Sequence, residues 1–233
     1  MRDKLDEWFA EDFGKGDFTS QAVVDNKPCE ANITGGPGVI SGINVCLAFL
    51  ERHDIDYTTD YSNGDTIDSP LIISLKGRAH DILATERLLL NILSHLSGIA
   101  THTNSIVKIA KEANPNVEIL ATRKTLPGLR DLEKEAVVHG GGQTHRMRLD
   151  DAILIKDNHL KLSKSIKESI SLSRTKYPDL MLEVEADNEE QALEIAECGA
   201  DRVMLDNFTP LDAAKTIKKL RQFSNIEIEI SGG

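Results

Sequence analysis

Cysteine is scarce in the 233-residue chain: Cys29, Cys46 and Cys198 are widely spaced and form no C-x-x-C pair. That spacing excludes a disulfide framework or a zinc knuckle, and the three read as reduced, structural thiols. No apolar run approaches membrane-spanning length. The start, Met1-Arg2-Asp3-Lys4 followed by the acidic Leu5-Asp6-Glu7-Trp8-Phe9, is neither a signal nor a transit peptide, so the expected location is the cytoplasm. Basic residues are outnumbered, with 27 Lys and Arg against 38 Asp and Glu and a formal charge of −11. Such a field repels nucleic acid and anionic membranes, and neither is expected as a partner. Prolines number only seven, and no low-complexity or linker-like segment interrupts the chain. With 40% apolar and 28% charged residues it reads as a globular protein whose core needs no metal or disulfide staple.

Several enzyme signatures are also missing. No G-x-G-x-x-G follows a strand and no G-x-x-x-x-G-K-[ST] occurs, so dinucleotide and P-loop chemistry lose support. The absence of G-x-S-x-G removes the nucleophile elbow of a serine hydrolase, and no H-E-x-x-H supports a zinc enzyme.

What is present falls into two parts. Residues 1–16 predict a helix closed by Gly14 and Gly16. The β-branched runs Val23-Val24, Ala31–Ile33, Gly38–Ile40 and Leu71–Ile73 predict short strands, with a helix at Val45–Arg52. A small α+β domain is expected here. Helical spacing of Leu83, Leu88, Leu89, Ile92, Leu93 and Leu96 predicts a helix over 82–96 capped by Ser97-Gly98, then a second over 101–112. The expected division is an N-terminal domain with its connecting helix at 1–100 and an α/β domain at 101–233.

After Pro115 strands and helices alternate. Strands are expected at 117–121, 152–155, 180–184, 203–205 and 226–230, with helices at 162–176, 188–198 and 210–223. Alternation of this kind implies a parallel sheet or barrel, because parallel neighbours need long crossovers. The carboxyl ends of parallel strands gather at one mouth, so the residues following each strand are the site candidates. They are Arg123-Lys124, Lys156-Asp157, Glu185, Asp206-Asn207 and Ser231-Gly232-Gly233. Two basic ends, two acidic ends and a glycine-rich end suit anionic groups, a polyol or metal, and a phosphate. Basic charge concentrates in residues 121–160, whose net charge is +1 against −12 for the remainder.

Single residues in this set admit plainer readings. Gly140-Gly141-Gly142 either caps a helix or lets backbone approach a ligand closely. His145-Arg146 is either a surface dipeptide or part of the site, His159 suits a helix cap, and Lys156 suits a Schiff-base lyase as well as an anion site.

Longer motifs carry a resemblance. Thr122-Arg123-Lys124-Thr125-Leu126-Pro127-Gly128-Leu129-Arg130, Gly140-Gly141-Gly142-x-x-His145-Arg146 and Ile155-Lys156-Asp157-Asn158-His159 resemble the quinolinate phosphoribosyltransferases. Glu11-Asp12-x-Gly14-x-Gly16-Asp17-x-Thr19-Ser20, Glu86-Arg87-x-x-x-Asn91, Leu96–Thr101, Glu183-Val184-Glu185, Leu205-Asp206-Asn207 and Ser231-Gly232-Gly233 agree with the same family across nearly the whole chain. The resemblance implies an N-terminal α+β sandwich-like domain on an incomplete, TIM-like α/β barrel. It also implies a homodimer or a hexamer of dimers with shared active sites, and Mg²⁺ as cofactor. The implied reaction joins quinolinate to 5-phosphoribosyl-1-pyrophosphate with loss of pyrophosphate and carbon dioxide, giving nicotinate mononucleotide for NAD synthesis.

Carried over residue by residue, the resemblance assigns the quinolinate carboxylates to Arg123, His145, Arg146 and Lys156, with Arg87 from the neighbouring subunit. Lys124, Glu185 and Asp206 serve the phosphoribosyl pyrophosphate, Glu185 and Asp206 also its metal, and Ser231 and Gly232 the 5-phosphate. Lys156, Glu185 and Asp206 are the expected catalytic groups. Two departures stand out: Ala121 occupies a position where the family commonly has Asp, and family members continue past Ser231-Gly232-Gly233 through another strand and phosphate loop. A molybdenum-associated pyridine-carboxylate homologue and a Schiff-base lyase on Lys156 are the rival enzymes, and a non-enzymatic anion binder the third reading.

Overall fold

A computed structural model describes residues 2–232, with side chains from Lys4 onward; Gly233 of the terminal glycine motif lies outside the described residues. The chain divides into two compact units, residues 1–145 and 146–233.

The first unit opens with α1 (Arg2–Phe13), ended by the positive-φ Gly14, and α2 (Phe18–Val23). A strand was expected at Val23-Val24. Instead Asp17 caps a helix there, its carboxylate accepting from Ser20 N at 2.9 Å, and this local bond outweighs the β-propensity of two valines. An antiparallel sheet follows in the order β1 (Pro28–Thr34), β3 (Leu71–Arg78), β2 (Asp56–Thr58). The expected strand at Gly38–Ile40 is reduced to one bridge, Val39 to Thr66. Packed on the sheet are α3 (Ile43–Arg52) and α4 (Ala79–Ala113), which enclose Phe49, Leu50, Ile73 and Leu89. Burial beside this core pushes the Cys46 thiol up to about 12, so it stays a thiol.

The long helix corrects the sequence reading. Residues 79–113 form one 35-residue helix, not two separated at Ser97-Gly98. Ser97 does not cap its own helix: its hydroxyl accepts from Ser41 N at 3.0 Å and donates to Ser41 O at 3.2 Å. Thr101 Oγ1 likewise accepts from Val39 N at 2.9 Å. A glycine inside a helix weakens it without ending it.

Beyond α4 come β4 (Leu120–Ala121), α5 (Arg130–His139) and β5 (Gln143–Thr144), the last an unexpected strand parallel to β4. The triple glycine sits between α5 and β5 and is a packing device. A Cβ on Gly140 would meet Ala100 O and lie 2.7 Å from Thr103 Cβ, and one on Gly142 would lie 2.7 Å from Val137 Cγ1. The cap alternative therefore describes these glycines, with α4 as the reason for their lack of side chains.

The second unit is a parallel sheet in the order β6 (Ile153–Ile155), β7 (Leu182–Ala186), β8 (Arg202–Asp206), β9 (Glu227–Ser231). A separate helix α6 (Asp157–Leu162), not expected, precedes the one expected at 162–176, which begins later as α7 (Ile166–Lys176) because Ser165 caps it by accepting from Glu168 N. With α8 (Glu189–Glu197) and α9 (Pro210–Leu220) it covers a core of Leu182, Val184, Ile195, Val203 and Leu205. Parallel strands usually read as apolar runs on both faces. Here the side opposite Leu182, Val184, Val203 and Leu205 carries Glu183, Glu185, Arg202, Asp206, Glu227 and Glu229, so one face is a core and the other is charged. No helix among the described residues is long and apolar enough to cross a membrane.

The glycine environments make a paired prediction. Gly98→Ala, with nothing within 4 Å of its added Cβ, should raise stability by about 0.5–1 kcal/mol. Gly140→Ala should lower it by about 1–3 kcal/mol through overpacking against α4. Urea melts of both variants check the opposite signs.

Candidate active site

The charged face of the second unit ends in a row of polar groups at the carboxyl edge of the sheet. Lys156 follows β6, Glu185 is the penultimate residue of β7, and Asp206 and Ser231 end β8 and β9 in register with one another. Lys156 Nζ donates to Glu185 Oε2 at 3.0 Å. The Glu185 side chain is only 8% exposed, and burial raises its carboxyl above the ordinary value of 4.5. Lys156 opposes that rise through its hydrogen bond and charge, while the neighbouring Asp206 carboxylate adds to it. Of the residues expected to act catalytically, the structure thus brings Lys156, Glu185 and Asp206 together.

Asn207, one of the strand-end candidates, completes this edge. It adopts φ +56°, its side-chain amide donates to Asp206 Oδ2 at 2.6 Å, and its backbone N–H donates to Ser231 O at 3.0 Å. An asparagine directly after a strand-ending aspartate tolerates the left-handed conformation, and that is the signal that marked it. Gly232 has φ +111°, and a Cβ there would lie 2.6–2.8 Å from Asn207 atoms, so only glycine fits beside it. Arg146 lies before β6, its guanidinium donating to Ala152 O at 3.4 Å. His159 caps α6 as expected, its Nδ1 accepting from Lys156 N at 2.9 Å, which fixes the backbone that presents Lys156.

The first unit carries the other expected anion ligands. Arg123 and Lys124 follow β4, and His145 follows its parallel neighbour β5, with His145 N donating to Ala121 O at 3.4 Å. Register therefore sets these two cationic segments side by side. Arg123 Nε is buried without a hydrogen-bond partner. Arg87 is exposed on α4 and lines a cavity of about 600 Å³ with Lys4, Trp8, Asn91, His95 and Pro127.

For a divalent cation the fitting groups are Glu185 and Asp206. They are neighbouring carboxylates, and carboxylate oxygens are the donor chemistry Mg²⁺ takes. The plainest surprise lies elsewhere: Glu133 and Lys134 on α5 are buried. Charged residues within a helix read as a solvated face. The signal available was that Leu132, Glu133 and Ala136 share one helical stripe.

Comparison with known proteins accords with this geometry. The family models for the quinolinate phosphoribosyl transferase N-terminal and C-terminal domains match residues 17–97 and 99–233. A probable nicotinate-nucleotide pyrophosphorylase [carboxylating] of Methanocaldococcus jannaschii is 40% identical, covering 95% of this chain and 81% of that protein. The similarly named protein of Archaeoglobus fulgidus is 39% identical over 93% of this chain and 84% of its own length, and the Rattus norvegicus enzyme is 33% identical over 97% and 77%. Among solved structures, the nicotinate-nucleotide pyrophosphorylase from Francisella tularensis superposes with a TM-score of 0.89 at 33% identity, covering 98% of this chain and 81% of that one. Sequence motifs, fold and family models agree: the chain belongs to the quinolinate phosphoribosyltransferase family.

Proposed function

We propose that this protein transfers the phosphoribosyl group of 5-phosphoribosyl-1-pyrophosphate to quinolinate and decarboxylates the product, yielding nicotinate mononucleotide for NAD synthesis. The observation that carries the reading is the Lys156–Glu185–Asp206 cluster beside Ser231-Gly232, in a chain whose relatives bear the name of this carboxylating reaction. As the quinolinate ring nitrogen forms its bond to ribose C1, the bond from C1 to pyrophosphate breaks and its electron pair leaves with pyrophosphate. Glu185 and Asp206 stabilise the cationic ribose that develops. Glu185 and Asp206 would also hold Mg²⁺, whose charge would help neutralise the pyrophosphate. The ring nitrogen is then cationic. The adjacent bond from ring carbon to carboxyl breaks, carbon dioxide departs, and the electron pair left on carbon takes a proton from Lys156.

Binding follows the charge of each substrate. Arg123, His145, Arg146 and Lys156 take the two carboxylates, the arginines by their planar forks. Arg87 is supplied by a neighbouring copy in a dimer or a hexamer of dimers, Lys124 contacts the pyrophosphate donor, and Ser231 and Gly232 meet the 5-phosphate. Arg87, Arg123, Arg146 and Lys156 together suit a dicarboxylate better than the monocarboxylate of a related pyridine enzyme. The Lys156 ammonium is engaged by a carboxylate, unlike the apolar setting that prepares a lysine for Schiff-base chemistry. The reaction is assigned to the cytoplasm.

Pyrophosphate release with quinolinate, with nicotinate and with no acceptor tests the reading. Quinolinate alone should support turnover, and Arg146→Ala should reduce it roughly 100-fold or more, since stranding a buried charge costs about 3–5 kcal/mol. Equal release with nicotinate, or an active Arg146→Ala, contradicts it. A second expectation concerns pH. Because the folded-state pKa of Glu185 is raised, the native protein keeps a proton that the unfolded chain has lost between 4.5 and the folded value, so stability falls as pH rises through that window. Glu185→Gln should lose turnover yet melt no lower than wild type at pH 7, and its melting temperature should fall less across pH 4.5–7, as differential scanning calorimetry will read.

A further inference from the structure

We infer that Glu133 and Lys134, consecutive buried residues on α5, are positioning residues for the two cationic segments of the first unit; the inference rests on the activity proposed above. Glu133 is 8% exposed and Lys134 only 1%. The two reach different loops. Glu133 uses both carboxylate oxygens: Oε1 meets His95 Nε2 of α4 at 2.9 Å, and Oε2 accepts from Leu126 N at 3.1 Å. Leu126 closes the segment that bears Arg123 and Lys124. Within itself that segment has short-range bonds, among them Lys124 N to Thr122 Oγ1 at 3.1 Å and Thr125 N to Arg123 O at 2.9 Å. Its ties to α5 are the Glu133 carboxylate and Arg130 Nε donating to Thr125 Oγ1 at 3.1 Å. Lys134 Nζ donates to the carbonyl oxygen of His145 at 2.8 Å, the residue that ends the neighbouring strand segment.

Stability alone does not account for such residues. Apolar side chains of similar volume commonly replace buried charges with no loss, because desolvation offsets the attraction. What a carboxylate and an ammonium supply here is direction: each fixes a backbone atom of a loop whose side chains must meet an anion. Arg123 gains from this most, since its buried Nε is presented without an internal partner, and holding it in place beforehand removes the ordering cost at the moment of binding.

The test compares Glu133→Leu, Glu133→Gln and Lys134→Met with wild type, measuring thermal unfolding, kcat, KM for quinolinate and calorimetric quinolinate affinity well below each melting transition. Displaced ligands should weaken quinolinate binding on the order of 10-fold or more in the folded Leu and Met variants. Glutamine, which keeps an oxygen for Leu126 N, should restore most of that loss at position 133. If Glu133→Leu does not fold, His95→Ala carries the same test, because His95 holds the other oxygen and its side chain is 40% exposed. Folded variants that bind quinolinate as tightly as wild type, whatever their melting temperatures, overturn the proposal alone. Wild-type protein that consumes no quinolinate overturns the functional reading and this proposal together.

Discussion

The contact between the Lys156 ammonium and the Glu185 carboxylate is the interaction on which the second unit's chemistry depends. It exists because a parallel sheet here does something uncommon: its strands alternate, sending Leu182, Val184, Val203 and Leu205 into the helical layer and Glu183, Glu185, Arg202 and Asp206 to the other side. Hydrophobic burial on one face anchors the strands. Register then aligns their charged ends to within hydrogen-bonding reach. Glu185 is buried, so its charge is costly without a cation, and Lys156 offsets that cost only in part, leaving a carboxyl poised above its usual pKa.

The first unit poses a different electrostatic problem under the proposed function, the capture of an anion by a protein whose net charge is −11. Cations must be concentrated locally and held apart from the many surface acids. The parallel pair β4 and β5 brings the segments after Ala121 and Thr144 side by side, and α5 packs behind them. Close approach of α5's end to α4 is possible only because Gly140 and Gly142 lack side chains. The triple glycine therefore contributes through packing.

Much of this was legible from residues. Strand ends are readable because β-branched runs stop at polar residues, and the order Arg123-Lys124, Lys156, Glu185, Asp206, Ser231 follows from that rule alone. Thr209-Pro210 announced α9, and His159 its cap on α6. Other features depend on contacts between residues distant in sequence. Ser97 and Gly98 look like a helix end until Ser41 and Val39 are seen to take the hydroxyls of Ser97 and Thr101. Two-residue strands such as β5 carry no period to detect. Glu133 shares a helical stripe with Leu132 and Ala136, but what it and Lys134 hold shows only once the loops are in view, and Asn207 pairs with a strand neighbour 24 residues away in the chain.

The account holds that phosphoribosyl transfer and decarboxylation are consecutive events on one substrate. Quinolinate carrying carbon-13 in the carboxyl group next to the ring nitrogen tests it most directly, with labelled carbon dioxide and pyrophosphate quantified together as the reaction proceeds. Equimolar release of the two, dependent on 5-phosphoribosyl-1-pyrophosphate, is the predicted result. Pyrophosphate without labelled carbon dioxide, or carbon dioxide without the phosphoribosyl donor, would contradict it.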